Sequence, residues 1–181
     1  ADLLQTQPTQ RRDWLATSLR RAYSLSNAGH NAEAIALAEP LMTELRTVAD
    51  ARSVAGLGDW VDILMSAGRF DEAIANADEL ARRSAALPDV DSAEARFRSL
   101  LPGWVRASAG QGKAAEAPLE RALAAWRRSP TPKDAEFAGG LGTLSLVKYQ
   151  LGRIDEARAL LEESLALSRT IFKAPHERLG G

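Results

Sequence analysis

The sequence predicts an all-α protein, a solenoid of stacked antiparallel helix pairs, and three observations carry that prediction. First, one pattern recurs: Gly, three residues, Glu-Ala, then apolar residues at helical spacing, as GHNAEAIALAEPL from Gly29, GRFDEAIANADEL from Gly68 and GRIDEARALLEESL from Gly152. A weaker copy, SAGQGKAAEAPLERAL, sets its Glu-Ala pair from Gly112, but Leu119, Ala122 and Leu123 match the other copies only when counted from Gly110, which is therefore the repeat mark. Second, the four glycines stand at intervals of 39, 42 and 42 residues, within the range in which self-similarity signals stacked supersecondary units. Third, each mark separates two amphipathic stripes. In the last copy Leu141, Leu144, Val147 and Leu151 precede Gly152, and Ile154, Ala157, Leu160, Leu161 and Leu165 follow it, at spacings of three, four and seven.

Each unit is thus two helices hinged at a glycine able to take the left-handed turn that ends a helix. Applied along the chain, this predicts eight helices, at about 10–28, 31–48, 53–67, 70–86, 91–109, 113–128, 133–151 and 154–172. The links fit the division. In LPDVDSAE, Pro88 precedes Asp91, an N-cap with Glu94 three residues on, and in RRSPTPKD, Thr131 is the N-cap with Pro132 at the first helical position, where its missing N–H is harmless. The chain is expected to form one elongated domain, 1–181, with repeat units at about 10–50, 51–90, 91–131 and 132–173. Pro40, Pro102 and Pro118 fall inside predicted helices and should bend them. Gly139, Gly140 and Gly142 crowd the seventh helix and are read as positions of close helix packing. AGGLGTLS lacks both the Gly-Lys-Ser/Thr ending and the preceding strand of a phosphate loop.

The acids of each unit recur in register. Glu33, Asp71, Glu72, Glu116, Asp155 and Glu156 fall in the first turn of a second helix, where the macrodipole favours an anion. Arg46, Arg127 and Arg169 each follow their glycine by 17 residues, near helix C-termini. In the second copy Arg82 and Arg83 lie slightly earlier, and a charge pattern that recurs in this way belongs to the building block and needs no catalytic role. Other chemistry is thin. Cysteine is absent, so disulfides and thiolate metal sites are excluded, and His30 and His176 are too far apart to seed a metal cluster or a triad. No catalysis, cofactor or metal is expected. With 23 basic and 24 acidic residues and a net charge of −1, the arginine doublets lie dispersed among acids, which argues against nucleic acid. No apolar run approaches the ~18 residues of a membrane span.

The four glycines, with Ala34, Ala73, Ala157 and Leu165, resemble the tetratricopeptide repeat in its long variety of about 42 residues, as in kinesin light chains. The resemblance covers about residues 10–173 and implies a right-handed α-solenoid of four repeats. It also implies a protein-interaction scaffold without chemistry of its own, cytoplasmic, cut from a larger bacterial signalling protein. The trailing RTIFKAPHERL is similar to the loop between such repeats, so further repeats are expected to follow. The resemblance places a groove along the first helix of each pair, lined by Arg20, Tyr23 and Asn27, then Asp59, Asp62 and Ser66, then Trp104 and Ser108, then Thr143, Tyr149 and Gln150. Tyr, Trp and Arg anchor interfaces, and an acid pair one helical step apart favours a cationic group. Trp104 and Tyr23 are equally readable as core residues, while Trp14, Trp60 and Trp126 are assigned to packing. The expected partner is a protein or peptide, with self-association kept open; the alternative is a small-molecule sensor of the kind carried by large transcriptional activators.

Overall fold

The computed structural model describes residues 8–48, 51–87, 93–130 and 132–172. They form eight helices: α1 (Pro8–Asn27), α2 (Asn31–Leu45), α3 (Ala51–Ser66), α4 (Phe70–Ala85), α5 (Ala93–Ser108), α6 (Gly112–Arg128), α7 (Ala135–Gln150) and α8 (Ile154–Phe172). No strand occurs among the described residues. The chain divides between residues 90 and 91 into two compact units of four helices each, the boundary that the repeat spacing places between the second and third pairs.

The hinges settle which glycine marks the weak repeat. Gly29, Gly68, Gly110 and Gly152 all have φ between +74° and +86°, a region that costs a residue with a Cβ about 1 kcal/mol or more. Gly112 is instead the first residue of α6. After each hinge the chain turns back, and α1 packs on α2, α3 on α4, α5 on α6 and α7 on α8. The prolines sit inside α2, α5 and α6, each of which continues as helix through its proline. Asp91 and Thr131, the expected N-caps, lie outside the described residues, as does His176. The seventh helix begins three residues after Pro132: Asp134 is its N-cap, its Oδ1 accepting from the Phe137 N–H at 3.2 Å. A capping carboxylate supplies the acceptor that a first-turn proline cannot.

In the first unit, α3 lies against both α1 and α2. Leu19, Leu41, Met42, Val54, Leu57, Trp60, Ile63 and Leu64 are buried together with the α4 residues Ala73, Ala77 and Leu80. Close approach depends on Gly56, where a Cβ would come within 2.9 Å of a Leu19 methyl and 3.0 Å of one on Leu45. The second unit repeats the plan. Leu119, Leu123 and Trp126 of α6 meet Phe137, Leu141, Leu144 and Val147 of α7, with the Trp126 and Phe137 rings edge to face at 5.5 Å. Here Gly103 and Gly140 are the contact glycines: a Cβ would meet Leu119 at 2.5 Å in the first case and Leu123 and Leu100 at 3.0–3.1 Å in the second. Of the tryptophans assigned to packing, Trp60 and Trp126 are buried, but Trp14 is 38% exposed, covered on one side by the Arg11 guanidinium at 4.5 Å.

The charges do more than meet helix dipoles. Arg69 and Arg153, each just after a hinge, bind the carboxylate three residues on, Glu72 or Glu156, and reach back to the preceding pair, to Glu39 and Glu116 respectively. Arg46 and Arg127, expected as C-terminal dipole partners, bind Glu79 at 3.4 Å and Glu163 at 2.6 Å in the following pair. Glu116 falls just beyond the first turn of α6, because that helix starts at Gly112. It joins Glu120 and Glu156 around the fully buried Lys148 ammonium. Burial works against the Lys148 charge, but the hydrogen bonds it donates to Glu116 and Glu120, together with their negative charges, outweigh it and move its pKa up.

The Lys148 cluster should respond asymmetrically to mutation. Glu116→Gln with Glu120→Gln leaves a buried ammonium short of counter-charge and should lower stability by about 2 kcal/mol, whereas Lys148→Met lets the more exposed carboxylates return to water and should cost less than about 1 kcal/mol. Urea denaturation of both variants measures the difference. Equal losses would mean that the cluster acts through packing alone.

Candidate functional site

Two places on first helices combine charge or aromatic surface with access, one in each unit. In the first unit, α1 and α3 lie side by side and turn Leu15, Leu19 and Ala22, and Val54, Val61 and Leu64, into the core. On the remaining faces the Arg20 guanidinium lies 3.5 Å from Asp59 and 5.7 Å from the centre of the Tyr23 ring. Asp62 stands one helical step beyond Asp59. Both carboxylates are half-buried, not openly exposed as the groove reading assumed. Burial raises the pKa of Asp59 while Arg20 pulls it back. Burial, with the neighbouring Asp59 charge, pushes Asp62 up to about 6. This patch is an acidic pair, incompletely neutralised by one exposed arginine.

The second unit carries an apolar cavity of about 390 Å³ between α5 and α7. Phe97 and Trp104, two turns apart on α5, form its aromatic wall with rings edge to face at 5.9 Å. Leu100 and Leu119 make its floor. Gly139 and Gly140 open the α7 side, and Glu136 and Thr143 are the polar groups at its rim. Trp104 is 42% exposed and lines the cavity, so it is not a core residue. Tyr23 is half-buried beneath Arg20. The glycines have opposite roles: a Cβ on Gly139 would meet nothing within 4 Å, whereas Gly140 touches the leucines beneath it. AGGLGTLS is therefore the middle of a helix, with one glycine leaving room for an occupant.

Of the sequence-predicted site residues, the structure brings together Arg20, Tyr23, Asp59 and Asp62 in one patch and Trp104 with Thr143 in the cavity. Asn27, Ser66 and Ser108 are exposed at the last positions of α1, α3 and α5, and the Ser66 carbonyl accepts from Asn31. Tyr149 is not at the cavity; it lines a second groove with Leu146, Ile154 and Leu161. Gln150 ends α7 with its Oε1 beside Gly112. Sequence reasoning missed Phe97, Glu136 and Gly139. The available signal was register, since Phe97 shares a face with Trp104 seven residues later and Glu136 shares one with Gly140 and Thr143. Among the described residues no group of three His, Cys, Asp or Glu stands close enough to hold a metal, and no helix is long and apolar enough to cross a membrane.

The class that this architecture defines is the helical-repeat protein of the tetratricopeptide type. Residues 138–178 match the tetratricopeptide repeat family model. Over 91% of this chain and 77% of its own, a solved Podosopora anserina structure described as "putative kinesin light chain nearly identical TPR-like repeats" superimposes with a TM-score of 0.74 at 17% identity, which speaks for the fold. A variant of that protein aligns at 16% identity over 88% of this chain and 97% of its own with a TM-score of 0.46, too low to bear on the fold. No curated protein matches the chain. The chain thus has the tetratricopeptide-repeat fold of the long, kinesin-light-chain-like variety.

Each site generates a prediction. A carboxyl whose pKa is raised on folding holds more protons in the folded than in the unfolded chain, so the stability tied to its neutral form is lost as pH rises from about 4, the unfolded value, toward about 6. Asp62→Asn should match the wild type near pH 4 and exceed it by about 1 kcal/mol above pH 6, as urea titrations across that range would register; parallel curves would mean that Asp62 is solvated. In the second unit, Gly139→Ala should stabilise α7 by about 0.5–1 kcal/mol, while Gly140→Ala should destabilise through the Leu100 and Leu123 contacts. Melting temperatures moving in the same direction would contradict the assignment of the open face.

Proposed function

We propose that the chain is a protein-interaction module that captures a peptide or partner segment along its first helices, with the Phe97–Trp104 cavity as the principal anchor site. The single observation behind this reading is that cavity: aromatic, accessible, and large enough for one or two apolar side chains. A rigid tryptophan in a partly desolvated hollow is the arrangement that most often concentrates binding energy at an interface. Glu136 at the rim favours a basic residue beside the anchored side chain, and the Asp59–Asp62 pair likewise favours cationic groups. Tetratricopeptide repeats as a family mediate protein–protein contacts, and nothing in either site requires chemistry. The role within a larger bacterial signalling protein in the cytoplasm is part of the same proposal and rests on the sequence resemblance.

The cavity volume also fits the small-molecule reading, since ligand pockets begin at roughly 300 Å³ and are mostly apolar. The two readings separate in one experiment. A peptide-display library selected on the 181-residue chain should yield sequences with an aromatic or large aliphatic residue next to Lys or Arg. Their affinity should fall at least tenfold for Trp104→Ala and for Gly139→Leu, which fills the cavity from the open side. Selection of no peptides, together with quenching of tryptophan fluorescence by small apolar compounds that Gly139→Leu abolishes, would transfer the site to the sensor reading.

A further inference from the structure

The described part of the chain ends in an uncovered apolar stripe. Ile154, Leu161, Leu165 and Phe172 follow one another along α8 at helical spacing and are 47–63% exposed. Ile154 and Leu161, with Leu146 and Tyr149 of α7, border an open groove of about 450 Å³, and Leu165 and Phe172 continue the exposed stripe beyond it. The internal repetition shows what such a face is built for. Counted from the hinge glycine, Leu161 and Leu165 occupy the positions of Leu119 and Leu123 on α6, which are completely buried in the core that α6 shares with α5 and α7, and of Ala38 and Met42 on α2, which are buried as well. The same face in the last pair lacks a covering helix among the described residues.

The charges are unfinished at the same place. Arg46 and Arg127, each 17 residues after a hinge, find Glu79 and Glu163 in the following pair. Arg169 holds the equivalent position on α8 and has no carboxylate partner among the described residues. Meanwhile α8 carries Asp155 in its first turn and Arg169 in its last. Two copies of α8 laid antiparallel with Leu161 opposite Leu165 would bring Ile154 against Phe172 and Asp155 beside Arg169, twice over, because a two-fold axis repeats every contact. A head-to-tail arrangement lacks this fit. The α7 positions that cover α6, Gly140, Leu144 and Val147, correspond on α1 to Thr17, Arg21 and Ser24, all exposed and polar. An apolar face on α8 whose counterpart positions on α1 are polar favours closed pairing over open filaments.

We infer that the exposed stripe of α8 is a self-association surface, on which a second copy of this chain docks antiparallel through Leu161 and Leu165, with Asp155–Arg169 ion pairs at either end. This surface is separate from the Phe97–Trp104 cavity and does not depend on what that cavity binds. Sedimentation equilibrium of the 181-residue chain over a concentration series should show a reversible monomer–dimer transition. Leu161→Glu with Leu165→Glu should abolish the dimer while leaving the helical circular dichroism unchanged. Arg169→Glu should weaken it about tenfold, and adding Asp155→Arg should restore it, a charge swap that keeps the test valid even if the leucine variant folds poorly. A chain that stays monomeric at every concentration would overturn the inference and leave the face to another occupant. So would association that grows beyond the dimer, or a dimer indifferent to the charge swap.

Discussion

A short amphipathic helix pair cannot bury its own apolar face, and the rest of this structure follows from that constraint. Each hinge glycine folds a second helix back on the first, which hides one stripe of each but leaves the far side of the second helix exposed. Only the first helix of the next pair can cover it, as α3 covers Leu45 and α7 covers Leu123. The covering helix must then come close, which explains Gly56 and Gly140: at both positions a Cβ would press on leucines of the preceding pair. The loss of helix propensity at each glycine, up to about 1 kcal/mol, is offset by the apolar area that contact removes from water.

The same constraint explains the charge register. Position 17 after the hinge lies at the edge of the helix–helix seam, so Arg46 and Arg127 can reach across it to a carboxylate in the following pair. From sequence alone these arginines look like partners of a helix dipole, because a one-dimensional pattern shows the helix end and not the neighbour beyond it. Two acids of LGRIDEARALLEESLALSR belong to the same system: Glu156 meets Arg153 and Lys148, and Glu163 meets Arg127, so these carboxylates join helices.

What could be read in the sequence was whatever repeats. Four glycines in register gave the helix count and the boundaries to within about three residues, and the positive φ of Gly110 confirmed its choice over Gly112. What could not be read was whatever differs between copies. Gly139 and Tyr149 have no like residue at the same register in the other pairs, and Trp104 shares its register with Tyr23 but not its surroundings, so their orientation depends on the local rotation of one helix against another. That is why Trp104 entered a cavity while Tyr149, predicted for the same surface, lies on the far side of α7. The half-burial of Asp59 and Asp62 has the same origin, since their exposure is set by how closely α1 approaches α3.

Function in such a fold resides in departures from the repeat. Between α5 and α7 the sequence places an aromatic wall on one helix and a residue without a side chain on the facing helix, which together make a hollow where identical repeats would leave a flat seam. Gly140 is explained by packing, because leucines lie beneath it, but Gly139 is not, because a Cβ there would enter empty space. Helix stability alone would favour alanine at that position. The glycine at 139 weakens its own helix and tightens no contact among the described residues, and this is what favours a role for the room it leaves in the proposed capture of a partner.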